Sequence, residues 1–356
     1  MIAWYRANRR ALPWRETTSP YSVLVSEIML QQTRVETVIP YYVRFLAAFP
    51  DVEALARAPL DAVLAQWSGL GYYSRARRLH QAAAVVVERG GFPRTESELG
   101  LLPGIGAYTA AAIASIAFGE AAPVVDGNVE RVIARLLDLD SDPKRGAARR
   151  RVRAAAALLL DSNAPGDSNQ ALMELGATVC QPRRPRCLVC PLTDFCLACA
   201  RGTVAERPVR SRERAGVRER RIVAVARRGE RYLLVRNADT SDLLAGLWEF
   251  PWTAVAPVPG GTRDAPAGRA AWETALAQAY GGEWRVGARR GRARHGITFR
   301  SLELEVHEAE VRLDGDLVAE RPSSAEPGWL SLDEIAAVPT TSMVRKVLAC
   351  LAATAR

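Results

Sequence analysis

The chain has 356 residues, of which 49% are hydrophobic and 24% charged, a composition typical of folded globular domains and unlike that of disordered chains. This length exceeds one ordinary hydrophobic core, so we expect two domains. The apolar stretch at 107–118 is too short to span a bilayer, and the N-terminus lacks a secretory signal pattern, so we expect a cytoplasmic protein. The net charge of +9 comes from residues 1–221, because residues 222–356 carry 17 basic and 17 acidic side chains. A basic first part suits a polyphosphate partner.

The first 200 residues predict an all-α domain. Apolar side chains recur at helical three-to-four spacing, and no sustained strand-like alternation appears. Gly and Pro interrupt the helical runs in "GLGYYSR", "LPGIG" and "AAPVVDGN". Residues 201–220 have almost no apolar content and predict an arginine-rich linker.

The pattern changes from residue 221 onward. "RIVAVARRGERYLLVRN" predicts a β-hairpin around a Gly turn, and "RSLELEVHEAEV" alternates as a further strand. "AAWETALAQAYG" and "LDEIAAV" are typical of short helices. We therefore expect an α+β domain at 221–356, following the all-α domain at 1–200.

A tight turn at 102–106 is the first candidate for binding. Gly104 and Gly106 permit left-handed backbone conformations and close approach to a large partner. The alanine-rich run that follows predicts a helix, whose first N–H groups would point at an anion. Tyr108 stands at the start of this helix.

Two carboxylates are candidates for catalysis. Glu27 lies within an apolar helical run, where a carboxyl group needs a partner or a raised pKa, unless it turns towards solvent. Asp126 precedes Gly127, Asn128 and a new helix, so it is either an ordinary helix cap or a functional group.

Five of the six cysteines fall within residues 180–199, which indicates a metal site rather than disulfides. The spacing leaves two ligand sets open: the first four of these cysteines, or the last four. Zinc ribbons separate their cysteine pairs by about 15–20 residues; the short spacing here favours an iron–sulfur cluster over zinc. The loop before Cys187 holds Arg183, Arg184 and Arg186, a basic surface suited to phosphates.

This combination of hairpin, carboxylates and cysteines resembles the HhH-GPD superfamily of DNA glycosylases. "LPGIGAYTAAAIASIAFGEAAPVVDGNVERV" matches its helix-hairpin-helix and its loop ending in an aspartate, and C-x6-C-x2-C-x5-C matches its cluster spacing. "LPWR", "SEIMLQQTRVETVIPYY", "GLGYYSRARRLH" and "NQALMELGATVC" are similar to adenine DNA glycosylases of the MutY type. The resemblance covers essentially all of residues 1–200.

The resemblance implies a role for each matching residue. Glu27 would protonate adenine at N7, Asp126 would stabilise the oxocarbenium ion, and Tyr108 and Asn128 would support them. The remaining implied sites are an adenine pocket of Trp14, Arg15 and Leu30; double-stranded DNA contacts of Gln31, Gln32, Leu70, Tyr72, Gly104, Gly106, Arg183 and Arg184; and a [4Fe-4S] cluster on Cys180, Cys187, Cys190 and Cys196. The protein would act as a monomer at the nucleoid on duplexes with A:8-oxoguanine or A:G mispairs.

Tyr108 distinguishes this reading from an endonuclease III-like enzyme that excises oxidised pyrimidines and cuts the strand. Such relatives carry a lysine at this position, and a tyrosine cannot form a Schiff base. The only lysine of residues 1–200, Lys144, lies in a predicted loop elsewhere. We therefore expect base removal without efficient strand cleavage. A non-catalytic iron–sulfur DNA-binding protein is a further alternative, against which both carboxylates argue.

The C-terminal part resembles the MutT-like (Nudix) domain of the same family, best at "LLVRNADTSDLLAGLWEFP". The helix "GRAAWETALAQAYGG" lacks the paired glutamates of a Nudix hydrolase, so we expect lesion recognition rather than nucleotide hydrolysis. In the family a Phe-Ser-His loop reads 8-oxoguanine, and here Ile297, Thr298 and Phe299 align with it. Thr298 keeps a hydroxyl, whereas Phe299 departs from the histidine, so the preference for 8-oxoguanine over guanine is open.

Overall fold

The computed structural model describes residues 1–210, 217–237, 244, 246–255, 268–297, 300–312 and 326–354. The chain divides into two compact units. One unit, called here the helical unit, comprises Met1–Ala58 and Arg77–Glu213. The other, called the sheet unit, comprises Pro59–Ala76 and Arg214–Arg356. The segment Pro59–Ala76 therefore groups with the C-terminal part, although the sequence places it within the first domain. No helix in the described ranges has the length and apolar character needed to cross a membrane.

The helices predicted for the first 200 residues are confirmed. They are short, and turns with Gly or Pro separate several of them, as at Gly119 and Pro165. Their bounds are α1 Ile2–Asn8, α2 Pro20–Leu30, α3 Val35–Ala48, α4 Val52–Arg57, α5 Leu60–Trp67, α6 Ser74–Glu88, α7 Glu96–Leu99, α8 Ala107–Phe118, α9 Gly127–Leu136, α10 Gly146–Leu158, α11 Pro165–Thr178 and α12 Leu197–Ala200.

Helix α8 lies at the centre of the helical unit. Its residues 110–114 are completely buried, because alanine side chains allow α2, α7 and α11 to pack closely against it. Gly106 is its N-cap, and Gly119 ends it in the left-handed conformation with φ +72°. Helix α2 begins at the N-cap Ser19, whose side chain accepts from Ser22 N, with Pro20 in the first turn. These two helices carry Glu27 and Tyr108 into the interior.

The segment predicted as a linker begins with residues held against the end of α9. Asp138 accepts hydrogen bonds from Thr203 and Arg201 and forms an ion pair with Arg207 at 2.8 Å. Residues 201–210 are thus packed onto the helical unit, and β1 begins at Val217.

The sheet unit contains a mixed sheet with helices on its faces. Its elements are β1 Val217–Arg228, β2 Arg231–Arg236, β3 Trp248–Glu249, β4 Trp252–Ala254, α13 Arg269–Tyr280, β5 Glu283–Ile297, β6 Arg300–Arg312, β7 Glu326–Leu330, α14 Leu332–Ala337 and α15 Ser342–Thr354. The strand order is β3-β2-β1-β6-β5, with β4 paired to β1 and β7 to β2. Only β1 and β6 run parallel among these pairs of described strands.

Strand β1 shows how the sequence alternation builds two cores. Ile222 and Ala224 pack on the side of Trp272 and Leu276 of α13. The intervening side chains 223 and 225 pack with Val344 and Val347 of α15 on the other side. The predicted β1–β2 hairpin turns at Gly229 with φ +56°, and the predicted strand at "RSLELEVHEAEV" is β6. The α+β prediction is therefore confirmed.

Candidate active site

A cavity of about 400 Å³ opens in the helical unit between α2, α8, α9, α11 and residues 10–15. A concave site of this size with convergent polar groups is the usual setting for a small ligand. Its lining includes nine of the residues identified from the sequence: Trp14, Arg15, Glu27, Leu30, Gln31, Gln32, Tyr108, Asp126 and Asn128. Arg10, Gln170, Met173 and Glu174 also line it, and the sequence did not predict them.

Glu27 is buried at this cavity, 6% exposed, on the cavity side of α2. Its Oε2 has no hydrogen-bond partner within the described residues. Burial raises the pKa of Glu27 from 4.5 to about 7, and the charge of Asp126 adds to the rise. A hydrogen bond from Tyr108 and the charge of Arg15 oppose it. Near neutral pH, a large fraction of the molecules therefore carries Glu27 in its protonated form.

Tyr108 lies in the first turn of α8, beside Glu27. Burial, and then the neighbouring charges of Glu27 and Asp126, raise the pKa of Tyr108 well above its usual value, so the phenol stays protonated. Its hydroxyl also lies 3.6 Å from the sulfur of Met173. No lysine occurs among the described residues that line the cavity.

Asp126 is both the N-cap of α9 and a wall of the cavity. Its Oδ1 accepts from the backbone N–H groups of Asn128 at 2.9 Å and Val129 at 2.7 Å. Its Oδ2 accepts from Nδ2 of Asn128 at 2.7 Å. Burial raises the pKa of Asp126, while these hydrogen bonds favour its charged form. The carboxylate is thus fixed in place at the positive end of a helix.

Asn128 is in turn fixed from two sides. Arg131 donates to its Oδ1 at 2.9 Å. Gly176 of α11 lies so close that an added Cβ would stand 2.6 Å from Cβ of Asn128, so only glycine allows this approach of α11 to α9. The asparagine therefore supports Asp126 from a rigid position.

A buried ion-pair network completes the wall next to Trp14. Glu174 of α11 is fully buried and accepts from Arg10 at 2.8 Å and from Arg15 at 2.7 Å. Burial alone would raise the pKa of Glu174, but the hydrogen bonds from Arg10 and Arg15 dominate and lower it to about 2. Trp14, itself buried, packs edge-on against Tyr42 with ring centres 5.5 Å apart. The network holds Arg15 and the 3₁₀ turn Pro13–Arg15 at the cavity.

The predicted anion-binding turn precedes α8 as expected. Gly104 has φ +73°, and an added Cβ would stand 2.5 Å from Cβ of Arg78, so both conformation and space require glycine there. Gly104 and Gly106 are both exposed, but Gly106 has φ −88°, so of the two only Gly104 adopts the left-handed conformation that glycine permits. The first N–H groups of α8 lack intrahelical acceptors and lie at this surface.

The residues predicted in the loop 69–73 of the sheet unit differ in exposure. Tyr72 is 37% exposed and has φ +50°, whereas Leu70 and Tyr73 are buried. Gln32, in the helical unit, also has a left-handed backbone, with φ +57°. Left-handed conformations of residues other than glycine are uncommon and concentrate at functional sites. Leu70 lies in the interior of its unit, so the exposed candidate in this loop is Tyr72.

All five clustered cysteines line a second cavity in the helical unit. Arg135 is buried beside them and donates to the carbonyl oxygens of Gln181 and Pro182 and to Sγ of Cys180 at 3.3 Å. No three His, Cys, Asp or Glu side chains of the described chain lie close enough together for a single metal ion. A four-iron cluster is larger and takes four thiolates around it. Thiolate donors around one cavity, with the buried guanidinium of Arg135 beside them, fit such a cluster.

Two further predicted sites differ in what the structure describes. Arg183 and Arg184 are exposed in the loop before Cys187. Ile297 ends β5 and pairs with Arg300 of β6. Thr298 and Phe299 lie outside the described residues.

Comparisons with known proteins match both parts of the chain. Residues 25–156 match the family "HhH-GPD superfamily base excision DNA repair protein", and residues 222–350 match the NUDIX domain family. An adenine DNA glycosylase of Mus musculus is 41% identical over 311 residues, covering 72% of this chain, and the match spans only 60% of that relative's length. An adenine DNA glycosylase of Schizosaccharomyces pombe is 36% identical over 312 residues, covering 70% of this chain and 68% of that protein.

A solved structure of a thermostable thymine-DNA glycosylase has the same helical fold. It is 30% identical with a TM-score of 0.52, and the match covers 56% of this chain and 93% of that one.

Proposed function

The chain belongs to the adenine DNA glycosylase family, and from that premise we propose that it hydrolyses the N-glycosidic bond of adenine mispaired with 8-oxoguanine or, more weakly, with guanine. The product is an abasic site for base excision repair. Because its substrate would be double-stranded DNA, we propose that the protein acts at the nucleoid in the cytoplasm. The observation that carries the proposal is the pairing of two unlike carboxyl groups in one cavity. Glu27 is buried with an unpartnered oxygen and a pKa of about 7, whereas Asp126 is held by three hydrogen bonds to its carboxylate.

The target adenine must first leave the duplex, at a cost of a few kcal/mol. From the family resemblance, Gln32 and Tyr72 are each proposed to insert a side chain into the duplex. Both have the left-handed backbone described above, a conformation that costs local strain and concentrates at functional sites. The N–H groups at Gly104–Gly106 would bind a backbone phosphate, which positions the duplex without reading its sequence.

The extruded adenine would enter the cavity of the helical unit. Trp14 and Leu30 supply apolar surface, and Arg15 is held at the lining by Glu174. Gln31 contacts Thr109 across the cavity wall at 3.4 Å. A cavity of about 400 Å³ is ample for one purine.

Bond cleavage then uses the two carboxyl groups in separate roles, as in glycoside hydrolysis. Glu27 donates its proton to N7 of adenine, and the bond from C1′ to N9 breaks with its electron pair going to the base. The sugar is left as an oxocarbenium cation, which the carboxylate of Asp126 stabilises. Water adds at C1′ and releases a proton. Adenine leaves as a neutral molecule, and Glu27 is regenerated on taking up a proton.

Strand cleavage is not part of the proposed reaction. A lyase step needs an amine that attacks C1′, and the position next to Glu27 holds the protonated phenol of Tyr108. The chain has only two lysines, Lys144 and Lys346, and neither lies at the lining of this cavity.

An iron–sulfur cluster is proposed on Cys180, Cys187, Cys190 and Cys196. When bound, it would supply structural cross-linking of a segment too short to build a core of its own. Arg135 already ties this segment to α9 through the carbonyl oxygens of Gln181 and Pro182. The stiffened loop would present Arg183 and Arg184 to DNA phosphates.

Reading of 8-oxoguanine is proposed for the β5–β6 connection. The proposal rests on the alignment of Ile297, Thr298 and Phe299 with the family's recognition loop. A hydroxyl at Thr298 can donate or accept a hydrogen bond to the lesion. Phe299 offers no such group, so discrimination against guanine is the quantity to measure.

Single-turnover excision on three duplexes tests the proposal: A opposite 8-oxoguanine, A opposite G, and thymine glycol opposite A. We expect breaks in the adenine strand only after hot alkali, fastest opposite 8-oxoguanine. Glu27→Gln should abolish excision. Its control is Glu53→Gln, which makes the same change at an exposed glutamate of α4 and should leave excision unchanged. Strand breaks without alkali at thymine glycol would instead assign an endonuclease III-like lyase. Equal rates opposite G and 8-oxoguanine would support adenine excision but contradict the proposed recognition of 8-oxoguanine.

A further inference from the structure

The hydroxyl of Tyr73 joins the start of the loop that carries Tyr72 to residue 340 in the C-terminal part of the sheet unit. It accepts from the backbone N–H of Gly69 at 3.1 Å and donates to the carbonyl oxygen of Thr340 at 2.6 Å. Tyr73 is 3% exposed; its bond to Thr340 is buried, and its bond from Gly69 is partly buried. A buried hydroxyl with a donor and an acceptor on opposite sides fixes the backbone groups that it joins.

The anchor at Thr340 is itself firmly held in the sheet unit. Trp248 of β3 forms a bridge with Thr340, and its carbonyl oxygen accepts from N–H of Thr341 at 3.0 Å. Its own N–H donates to the carbonyl oxygen of Pro339 at 2.9 Å. Residues 339–341 thus form a short segment pinned to β3, and Tyr73 connects the loop to that segment.

Arg75 also fixes this loop, through a hydrogen bond and two ring contacts. Its guanidinium donates to the carbonyl oxygen of Gly71 at 3.0 Å and lies 5.4 Å from the ring centre of Trp67 and 5.5 Å from that of Tyr72. Trp67 also donates to Gly71 O, at 3.1 Å. The exposed Tyr72, with its uncommon φ of +50°, therefore stands on a loop whose neighbouring backbone is fixed at several points.

We propose that Tyr73 is a positioning residue, whose hydroxyl sets the loop so that Tyr72 enters the duplex beside the mispair. The inference rests on the proposed function, because it assigns how the mispair is recognised. A side chain can separate stacked bases only if the backbone that carries it does not move away. The hydrogen bond from Tyr73 to Thr340 fixes the loop to the segment 339–341, and so limits the movement of residue 72. Tyr73 therefore determines affinity for the mispair, and it does not touch the reacting atoms.

The test compares Tyr73→Phe with Tyr21→Phe. Tyr21 is a matched control, since its buried hydroxyl also donates to a backbone carbonyl, that of Phe49 at 2.7 Å, within the helical unit. Binding is measured to an A:8-oxoguanine duplex with 2′-fluoro-2′-deoxyadenosine, which resists cleavage, and to an undamaged duplex. A second readout is the fluorescence of 2-aminopurine at the target position, which rises when the base leaves the stack.

We expect Tyr73→Phe to weaken binding to the mispair about tenfold and to reduce the 2-aminopurine signal, with less than about twofold change on undamaged DNA. Both substitutions should lower the melting temperature by a similar amount, because each removes one buried hydroxyl. Tyr21→Phe should leave the binding and the 2-aminopurine fluorescence unchanged. Arg75→Lys, which keeps the charge but loses the guanidinium geometry, should repeat the selective loss and covers the case that Tyr73→Phe does not fold.

Two results overturn the inference: Tyr73→Phe with the wild-type ratio of affinities, or equal losses in Tyr73→Phe and Tyr21→Phe. Failure of the proposed function is seen separately, as a wild-type chain that binds the mispair and removes no adenine.

Discussion

Glu27 and Glu174 are both buried glutamates of the same cavity, yet their pKa values move in opposite directions. Burial raises the pKa of Glu27 to about 7, because no cation is hydrogen-bonded to it. The two guanidinium groups on Glu174 overcome the same burial and lower its pKa to about 2. The environment therefore makes one glutamate an acid and the other a permanent anion that holds Arg15 in place.

Only one of these two glutamates could be predicted from the sequence. Glu27 interrupts an apolar helical run, and a carboxyl group in such a place calls for a reason. Glu174 stands in "MELG" with no local signal, because its partners Arg10 and Arg15 are 164 and 159 residues away in the chain. Contacts at that separation depend on how α11 packs, which local patterns do not specify.

Replacement of Glu27 by Gln should stabilise the protein as it abolishes excision. The pKa of Glu27 is about 7 in the folded protein and 4.5 in the unfolded chain. Between these pH values the unfolded chain ionises while the folded protein does not, so the wild type loses stability as the pH rises. Gln cannot ionise. We expect Glu27→Gln to gain up to about 3 kcal/mol over the wild type at pH 8 and little at pH 4.5.

Urea unfolding at these two pH values measures the difference. The excision rate of the wild type should fall about tenfold per pH unit above about 7, as the acid form is lost. Glu53→Gln is the control and should show neither effect. A stability difference that is the same at both pH values would contradict the raised pKa.

At the scale of elements, helix starts account for much of the site. Asp126 is the N-cap of α9 and Gly106 the N-cap of α8, so the carboxylate and the proposed phosphate-binding turn both lie at helix N-termini. From the sequence, Asp126 was either a cap or a functional group. The structure shows that it caps α9 while it faces the cavity, so the structural role does not exclude the proposed one.

The two roles of Asp126 can be separated by substitution. Asn caps a helix about as well as Asp, so Asp126→Asn should keep the cap on α9, lose the hydrogen bond from Nδ2 of Asn128, and lose excision by at least about a hundredfold. Asp126→Ala should lose excision and about 1 kcal/mol of stability in addition. Asp51→Ala removes another side-chain cap, on Ala54 N of α4, and should cost stability alone. Thermal melts and single-turnover rates provide the measurements; full excision by Asp126→Asn would eliminate the charge as a catalytic element.

The strands differ in how well the sequence predicts them. β1, β2 and β6 carry β-branched or alternating apolar residues and were predicted. β5 reads "EWRVGARRGRARHGI", in which arginines alternate with small residues, so its apolar alternation is weak. Its partners complete it: β6 pairs along most of its length, and α15 packs against it. Tertiary contacts, rather than local preference, make this segment a strand.

For the whole molecule, the sequence predicted a helical part and an α+β part, and the structure and the family matches agree. The grouping of Pro59–Ala76 with the sheet unit was not predictable, because α5 and its loop have the same helical pattern as their neighbours. Their assignment follows from contacts such as Arg236 with Asp61 at 3.1 Å, across 175 residues of chain.

The uneven charge distribution leads to a prediction about salt. DNA binding releases one set of counterions for each phosphate contact, so the logarithm of the affinity falls linearly with that of the salt concentration. Replacing both Arg183 and Arg184 by Ala should reduce this slope by about 2 and weaken binding to all duplexes alike. Arg269→Ala, an exposed arginine of the charge-balanced C-terminal part, should leave the slope unchanged. Fluorescence anisotropy titrations at several salt concentrations measure it; an unchanged slope would remove the loop from the DNA interface.

The ionisable groups of the cavity lining have a consequence for the proposed reaction as a whole. They comprise Arg10 and Arg15, Asp126 and Glu174, the acid Glu27 and the protonated phenol of Tyr108. With Glu27 protonated, two positive and two negative charges cancel. When its proton goes to adenine, the lining becomes singly negative just as the sugar becomes singly positive. The site is therefore neutral before and after bond cleavage, and no ion has to enter or leave the cavity while the glycosidic bond breaks.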